Sequence, residues 1–503
     1  MLSITDPTGA TPYPSQFNMA RHVLAAGQST PDKIALQILR ASGAERWSYA
    51  RLIAAVRGTG TGLLRAGLEP GQRVLLRLGN SVDFPVAYLG AITAGLVPVP
   101  TSTQLTGPEI TRMAAGLAPS AVLAGDGVAL PDHPAPVLGL DALRAMHDLP
   151  PCDWHMGDAD RPGYIIYTSG SGGSPRAVVH AHRAVWARQM MWQGWYGLRA
   201  DDRVLHAGAF NWTYTLGTGL MDPWAIGATA LIPEAGAPLA LMLKRFDATL
   251  FAAVPGVYRQ LLKDGRKLDL PRLRHGLSAG EKLPEATRTA WRDATGCEIY
   301  EALGMSECST YISASPDRPA PEGCAGYPQA GRRIAILGDD GHPVARGSAG
   351  VLAVHRHEPG LMLGYLGADH APELPLQGGW FLTGDRASMA DDGAISYLGR
   401  DDDMMNAGGF RVSPLEVERA LADHPGITEI ACAEVEVKLG VTIIAAFYTG
   451  LEPVAEAELA DYAAARLARY KQPRLYRHMD ALPKGANGKL SRKSLRAGFR
   501  GEA

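Results

Sequence analysis

The chain has 503 residues, 46% hydrophobic and 20% charged; that is too long for one small module and too rich in apolar side chains for disorder, so two or three folded domains are expected. With 49 Lys+Arg against 51 Asp+Glu the formal charge is -2, which gives no whole-molecule pull towards nucleic acid or an anionic membrane, so any anionic ligand must be held locally. Five cysteines, Cys152, Cys297, Cys308, Cys324 and Cys432, lack any Cys-x-x-Cys pair and read as reduced thiols of a cytoplasmic protein, not as a disulfide framework.

The start, MLSITDPTGATPYP, has no basic segment followed by an apolar core, and the most apolar stretch, 86–100, is broken by glycine and prolines. Neither export nor stable membrane insertion is expected. Helical patterns at 52–67 (LIAAVRGTGTGLLRAG) and 84–95 (FPVAYLGAITAG) then alternate with the short apolar runs RVLLRL, AVLAG, ATALIP and ATLFAAVP. That alternation predicts an α/β fold with largely parallel sheets. Near residue 391 the texture shifts to turn residues (DDG, GRDDD, NAGG), followed by an amphipathic helix from Pro414. A boundary here predicts a large amino-terminal domain, 1–401, and a small mobile α+β domain, 402–503. The latter reads as helix, two strands (ITEIACAEV and VTIIAAFYT), a long alanine-rich helix (AEAELADYAAARLARY) and a basic tail.

Residues 164–182, YIIYTSGSGGSPRAVVHAH, read as an apolar strand and a loop of Thr168, Ser169, Gly170, Ser171, Gly172, Gly173 and Ser174, ending at Pro175 and Arg176. Glycines let backbone N–H groups approach phosphate oxygens, hydroxyls donate further hydrogen bonds, and Arg176 adds positive charge. A flexible connector has the same composition, so both readings stand on this segment alone. It is not the P-loop that ends in Gly-Lys-Ser/Thr. His180 and His182 would share one strand face as a metal pair, but no third ligand lies nearby in sequence, and a structural role is expected.

From this loop onward the sequence resembles the acyl-adenylate-forming enzymes: acyl-CoA synthetases, peptide-synthetase adenylation domains and luciferases. AGLVPVPTS, from Ala94, extends the resemblance towards the start. SAGEKLP (278–284) resembles the family's adenine-binding segment and puts Gly280, Glu281 and Lys282 beside the nucleotide. YEALGMSE (300–307) resembles the nucleotide and magnesium motif, implying nucleotide contacts from Glu301, Ala302, Leu303 and Ser306 and a Mg2+ ligand in Glu307. WFLTGD, ending at Asp385, is similar to the segment whose aspartate binds ribose. GRDDDMMNAGGFRVSPLEVE, from Gly399, resembles the hinge region. By that likeness Arg400 and Arg411 assist at ribose and phosphate, Asp402 is the hinge, and Gly408 and Gly409 face CoA. LPKGANGKLSRKSL, from Leu482, resembles the terminal loop whose lysine, here Lys489, is catalytic. The resemblance implies ATP, Mg2+ and coenzyme A, a catalytic set of Lys489, Arg411 and Glu307, and a small domain that rotates between the two half-reactions.

The chain departs from the family pattern at Gly172, where Thr is usual, at Arg176-Ala177, where Lys-Gly is usual, and at Leu303, where many relatives have Tyr. Altered ATP affinity is expected from the first two, and the third leaves the adenine-stacking partner open; Tyr300 replaces it only if the local backbone differs. Gly304 stands where acetate-restricted relatives carry Trp, which implies an acyl pocket open to acids larger than acetate. Asn211 stands where amino-acid-activating relatives place Asp, which favours a plain carboxylic acid. Trp212, Tyr214 and Trp224 either line an aromatic wall of that pocket or belong to the ordinary core.

The expected function is AMP-forming ligation of a medium-chain, branched or aromatic carboxylic acid to CoA through acyl-AMP, releasing pyrophosphate and AMP. Acid, ATP and CoA are the expected partners; a homodimer is compatible with the sequence, and nucleic acid is not expected. One alternative loads a separate acyl carrier protein, the short tail after Lys489 leaving no room for a fused one. Another is a non-catalytic acyl-nucleotide sensor, against which the joint presence of Glu307, Asp385 and Lys489 speaks.

Overall fold

A computed structural model describes residues 1–5, 12–169, 175–407, 410–438, 441–485 and 489–500. The short apolar runs of the sequence become strands of two parallel arrays. Ile34–Arg40, Thr229–Pro233, Arg203–His206, Leu250–Ala253, His275–Ala279 and Ile299–Met305 lie side by side in that order at the centre of a nine-stranded sheet. Every residue of Thr229–Pro233, Leu250–Ala253 and His275–Ala279 is buried, as a parallel sheet covered on both faces requires. Antiparallel strands close its edges, Gly43–Ser48 on one side and Ser309–Ser313 with Tyr327–Pro328 on the other.

A second parallel sheet holds Val97–Pro100, Arg73–Arg77, Ala121–Ala124 and Val137–Leu138. A third, antiparallel sheet holds Pro162–Ser169, Pro175–Ala181, Gly364–Leu366 and Pro372–Glu373. All three sheets lie in the larger of two compact units, residues 5–333 and 355–381. Two ion pairs are sealed inside this unit. Arg188 meets Asp222 through Nε–Oδ1 at 2.7 Å and Nη2–Oδ2 at 2.6 Å, and Arg332 donates to Glu358 at 2.8 Å with both side chains fully buried.

The smaller unit comprises residues 1–4, 334–354 and 382–503; the sequence-based boundary at 401/402 falls inside it. A four-stranded sheet of Ile334–Leu337, Ala349–His355, Trp380–Met389 and Ile395–Arg400 is followed by helix Pro414–Ala422. Next come the antiparallel strands Glu429–Lys438 and Val441–Thr449, with Leu475–His478 parallel to the second. The helix–strand–strand order therefore matches the pattern in the sequence, but the alanine-rich helix spans only Glu456–Ala464. Burial of Ala463 and Leu467 in one cluster turns the chain there, ahead of Pro473, and this packing overrides the helix propensity of the residues that follow. The five cysteines form no disulfide, and among the described residues no helix is long and apolar enough to cross a membrane.

His180 and His182 serve the fold. His180 stacks on Tyr164 with ring centroids 4.7 Å apart, and the Nδ1 of His182 accepts the Met19 N–H at 3.1 Å. Burial pushes their pKa down to about 4 and about 3, and it does the same to His22, His206 and His275, at about 4, 3 and 4. Unfolded imidazoles protonate near pH ~6.5 whereas these stay neutral, so their contribution is complete above that pH and is lost as pH falls towards 4. The denaturation midpoint at pH 5 should lie clearly below that at pH 7. His182→Asn, whose Oδ1 can still accept the Met19 N–H, should narrow the gap; an unchanged gap would remove His182 from this effect.

Candidate active site

Strands Pro162–Ser169 and Pro175–Ala181 pair antiparallel, with Thr168 opposite Arg176 and Ser169 opposite Pro175. The two strand ends that flank the Ser/Gly run are thus neighbours. Gly170, Ser171, Gly172 and Gly173 lie outside the described residues, as does the side chain of Ser169. Arg176 is exposed, and its guanidinium carbon sits 4.0 Å from the ring centroid of Tyr365, over the negative face of the aromatic system. Both residues line a cavity of about 710 Å³ whose other walls include Tyr167 and, from helix Gly107–Leu117, Glu109 and Arg112.

The strand Ile299–Met305 carries the second group of predicted residues. Glu301 is buried, and its carboxylate accepts from the Leu283 N–H at 2.9 Å and from Lys282 and Arg288 at 3.3 and 3.4 Å. It therefore fixes the 280–283 segment, where Gly280 is exposed and Glu281 and Lys282 are half-buried. Tyr300 packs edge-on against His275, 5.1 Å between centroids, on the side of the strand shared with buried Ala302. Leu303 falls on the opposite side by strand alternation, so the Tyr300 ring does not take its place. At the end of the strand the Ser306 carbonyl accepts from His180 Nε2 at 2.8 Å. Glu307 follows, 7% exposed; its carbonyl accepts the Met362 N–H at 2.8 Å and its Oε1 the Tyr365 hydroxyl at 2.8 Å. Among the described residues no cation lies within ion-pair distance of this carboxylate.

Gly304, expected to leave the acyl pocket open, has no room for a side chain of its own. A Cβ built there would lie 2.3 Å from Ser309 O and 2.5 Å from Thr310 Cα, in the backbone of the adjacent strand. The register shifts between Leu303 and Gly304, bringing the two strands into this close approach. Trp224 leaves the pocket reading: 1% exposed, it belongs to the main core and its indole N–H donates to Ala35 O at 2.8 Å. Tyr214 is stacked on Trp195 at 5.8 Å and donates to Leu277 O at 3.0 Å. Asn211 and Trp212 are half-buried just ahead of the π-helical turn Thr215–Met221.

Within the smaller unit, Asp385 is buried and surrounded by donors. Arg400 Nη1 and the Tyr397 hydroxyl each reach Oδ1 at 3.3 Å. Burial raises the Asp385 pKa above the ordinary carboxylate value, an effect that Arg400 and these hydrogen bonds oppose. Gly384 is required here: its φ is +74°, and a Cβ would lie 2.8 Å from Arg400 Nη2. Lys489 is exposed, and its carbonyl accepts the Gly485 N–H at 2.7 Å; residues 486–488 lie outside the described residues. Asp402 lies in the short turn Asp401–Asp403, and Arg411 in the strand Phe410–Val412 opposite Asn406. The side chains of Asp402 and Arg411, and both Gly408 and Gly409, lie outside the described residues. Tyr365 and Arg288 join the predicted residues through contacts between distant segments, and none of the quoted motifs includes them.

A family model described as AMP-binding enzyme matches residues 23–366, and one described as AMP-binding enzyme C-terminal domain matches 416–489. A 4-hydroxybenzoate-CoA/benzoate-CoA ligase of Rhodopseudomonas palustris is 32% identical across 89% of this chain and 88% of its own length. A benzoate-CoA ligase of Thauera aromatica is 30% identical across 99% of both. A solved anthranilate CoA ligase in complex with anthranoyl-AMP superposes with a TM-score of 0.87 at 25% identity, over 98% of this chain and 99% of that one.

The crowding at Gly304 yields a direct test. Gly304→Ala should already lower the thermal midpoint, and Gly304→Trp should fail to reach the native fold, because neighbouring backbone has to move to admit either side chain. A Trp variant of native stability that had merely changed its preference among acids would instead support the size reading.

Proposed function

Because the chain belongs to the AMP-binding enzyme family, we propose that it ligates an aromatic carboxylic acid of the benzoate class to CoA, with ATP as the activating co-substrate. The observation that carries this reading is the near full-length match to ligases named for benzoate and hydroxybenzoate. In the first half-reaction a carboxylate oxygen attacks the α-phosphorus of ATP and pyrophosphate leaves, forming acyl-AMP. In the second, the CoA thiol loses its proton, attacks the acyl carbonyl and displaces AMP.

Each residue has a role that its chemistry supports. Thr168, Ser169 and the 170–173 run donate hydrogen bonds to phosphate, with Arg176 supplying charge. Segment 280–282 together with Ala302, Leu303 and Ser306 borders the nucleotide, while Glu301 braces that segment. Asp385, beside Arg400, offers two acceptor oxygens to the ribose hydroxyls. Glu307 suits Mg2+: a hard oxygen donor, buried, with a neutral phenol as partner and, among the described residues, no protein cation beside it. When bound, the ion neutralises phosphate charge in the manner of phosphoryl-transfer sites. Lys489 places an ammonium on the charge that builds between the carboxylate and the α-phosphate, assisted by Arg411. Asp402 is the pivot that withdraws Lys489 before thiol attack, when Gly408 and Gly409 give the pantetheine close backbone approach.

Benzoate or a hydroxybenzoate with Mg-ATP should yield AMP and pyrophosphate, and added CoA should yield the thioester; ADP as product would overturn the mechanism. Lys489→Ala should slow adenylation about 100-fold or more and leave thioester formation from prepared acyl-AMP intact. Equal loss in both steps would reduce Lys489 to a structural residue.

A further inference from the structure

We propose that Tyr365 is a positioning residue that ties the metal-ligating carboxylate to the phosphate-loop arginine, its hydroxyl orienting Glu307 and its ring holding Arg176. The inference rests on the ATP site just described and adds to it a residue that no motif marks. Register is what brings the three together. Val178 lies opposite Tyr365 in the antiparallel sheet, and Arg176, two residues from Val178, projects on the same face as a diagonal neighbour of Tyr365. The same pairing brings the phenol within 2.8 Å of Glu307 Oε1.

Among the described residues the other hydrogen bonds at Glu307 are to the backbone, from the Met362 N–H to its own carbonyl and from His180 to the carbonyl before it. These bonds fix the turn but leave the side-chain torsions to the phenol. A neutral donor is well suited to that role, because it satisfies one carboxylate oxygen without neutralising the charge, and the anion keeps its affinity for a cation. The ring has a separate role, because cation–π attraction holds the exposed Arg176 beside the strand end that opens the Ser/Gly run. One side chain thus serves two functions that substitution can separate.

Calorimetric titration of the full chain with ATP, in the absence of acid and with or without Mg2+, tests this directly. Tyr365→Phe keeps the ring and should bind ATP without Mg2+ as wild type does, while the Mg2+ concentration giving half-maximal enhancement rises about tenfold. Tyr365→Leu should add a weakening of Mg2+-free ATP binding, matching that of Arg176→Gln. Adding Tyr365→Phe to Glu307→Gln should cause no further loss of the Mg2+ response, as expected for two residues acting as one unit. A Tyr365→Phe variant with a wild-type Mg2+ response, or fully additive losses in the double variant, would overturn the proposal while leaving the ATP site in place. Wild-type protein that bound no ATP would overturn the functional reading and this inference with it.

Discussion

A charge taken out of water must be matched by the chain or by something the chain binds, and this constraint separates scaffold from site in the larger unit. Arg332 is matched by Glu358 and Arg188 by Asp222, each pair wholly enclosed. Glu301 is likewise satisfied, by two cations and a backbone N–H. Glu307 is the exception among these: buried to 7% exposure, hydrogen-bonded by a phenol, and left without a cation among the described residues. The first three hold elements together. The fourth is a buried carboxylate partnered by a neutral hydroxyl, and on this the proposed role of Glu307 as a Mg2+ ligand rests.

The strand Pro175–Ala181 shows how closely fold and site are joined. Its first residues carry Arg176 beside the Ser/Gly run, its middle pairs with Tyr365, and its end places His180 under the Ser306 carbonyl. A slip of one residue would turn all of these side chains to the opposite face. Val178 and Val179 are both buried, one on each face, so the strand is enclosed on both sides at its middle. The strained turn after Glu307 is anchored in the same way: Ser309 has a φ of +63°, and its hydroxyl accepts a hydrogen bond from buried Arg188.

The acid side of the site rests on different grounds. Gly304, which by motif position faces the acyl group, is occupied on its side-chain face by the backbone of the next strand. Its smallness is required by this close strand contact. The proposal of an aromatic acid rests instead on the relatives named for benzoate and hydroxybenzoate, which match along nearly the whole chain.

The sequence by itself determined the α/β class, the order of the sheet-forming runs and the identity of the chemically equipped residues. Each of these is written locally: apolar runs of strand length, a Ser/Gly loop ending in Arg176, an acid after LGMS, and a lysine in a terminal Gly/Asn loop. It did not determine that the alanine-rich helix stops at Ala464, that Trp224 is core, that Gly304 is crowded, or that Tyr365 joins Arg176 to Glu307. Those outcomes belong to tertiary structure, because each is set by strand register or by burial against residues from other segments of the chain. A one-dimensional pattern carries the preference of each residue but not the neighbour that satisfies it; that neighbour exists only once the sheets have paired and the core has closed.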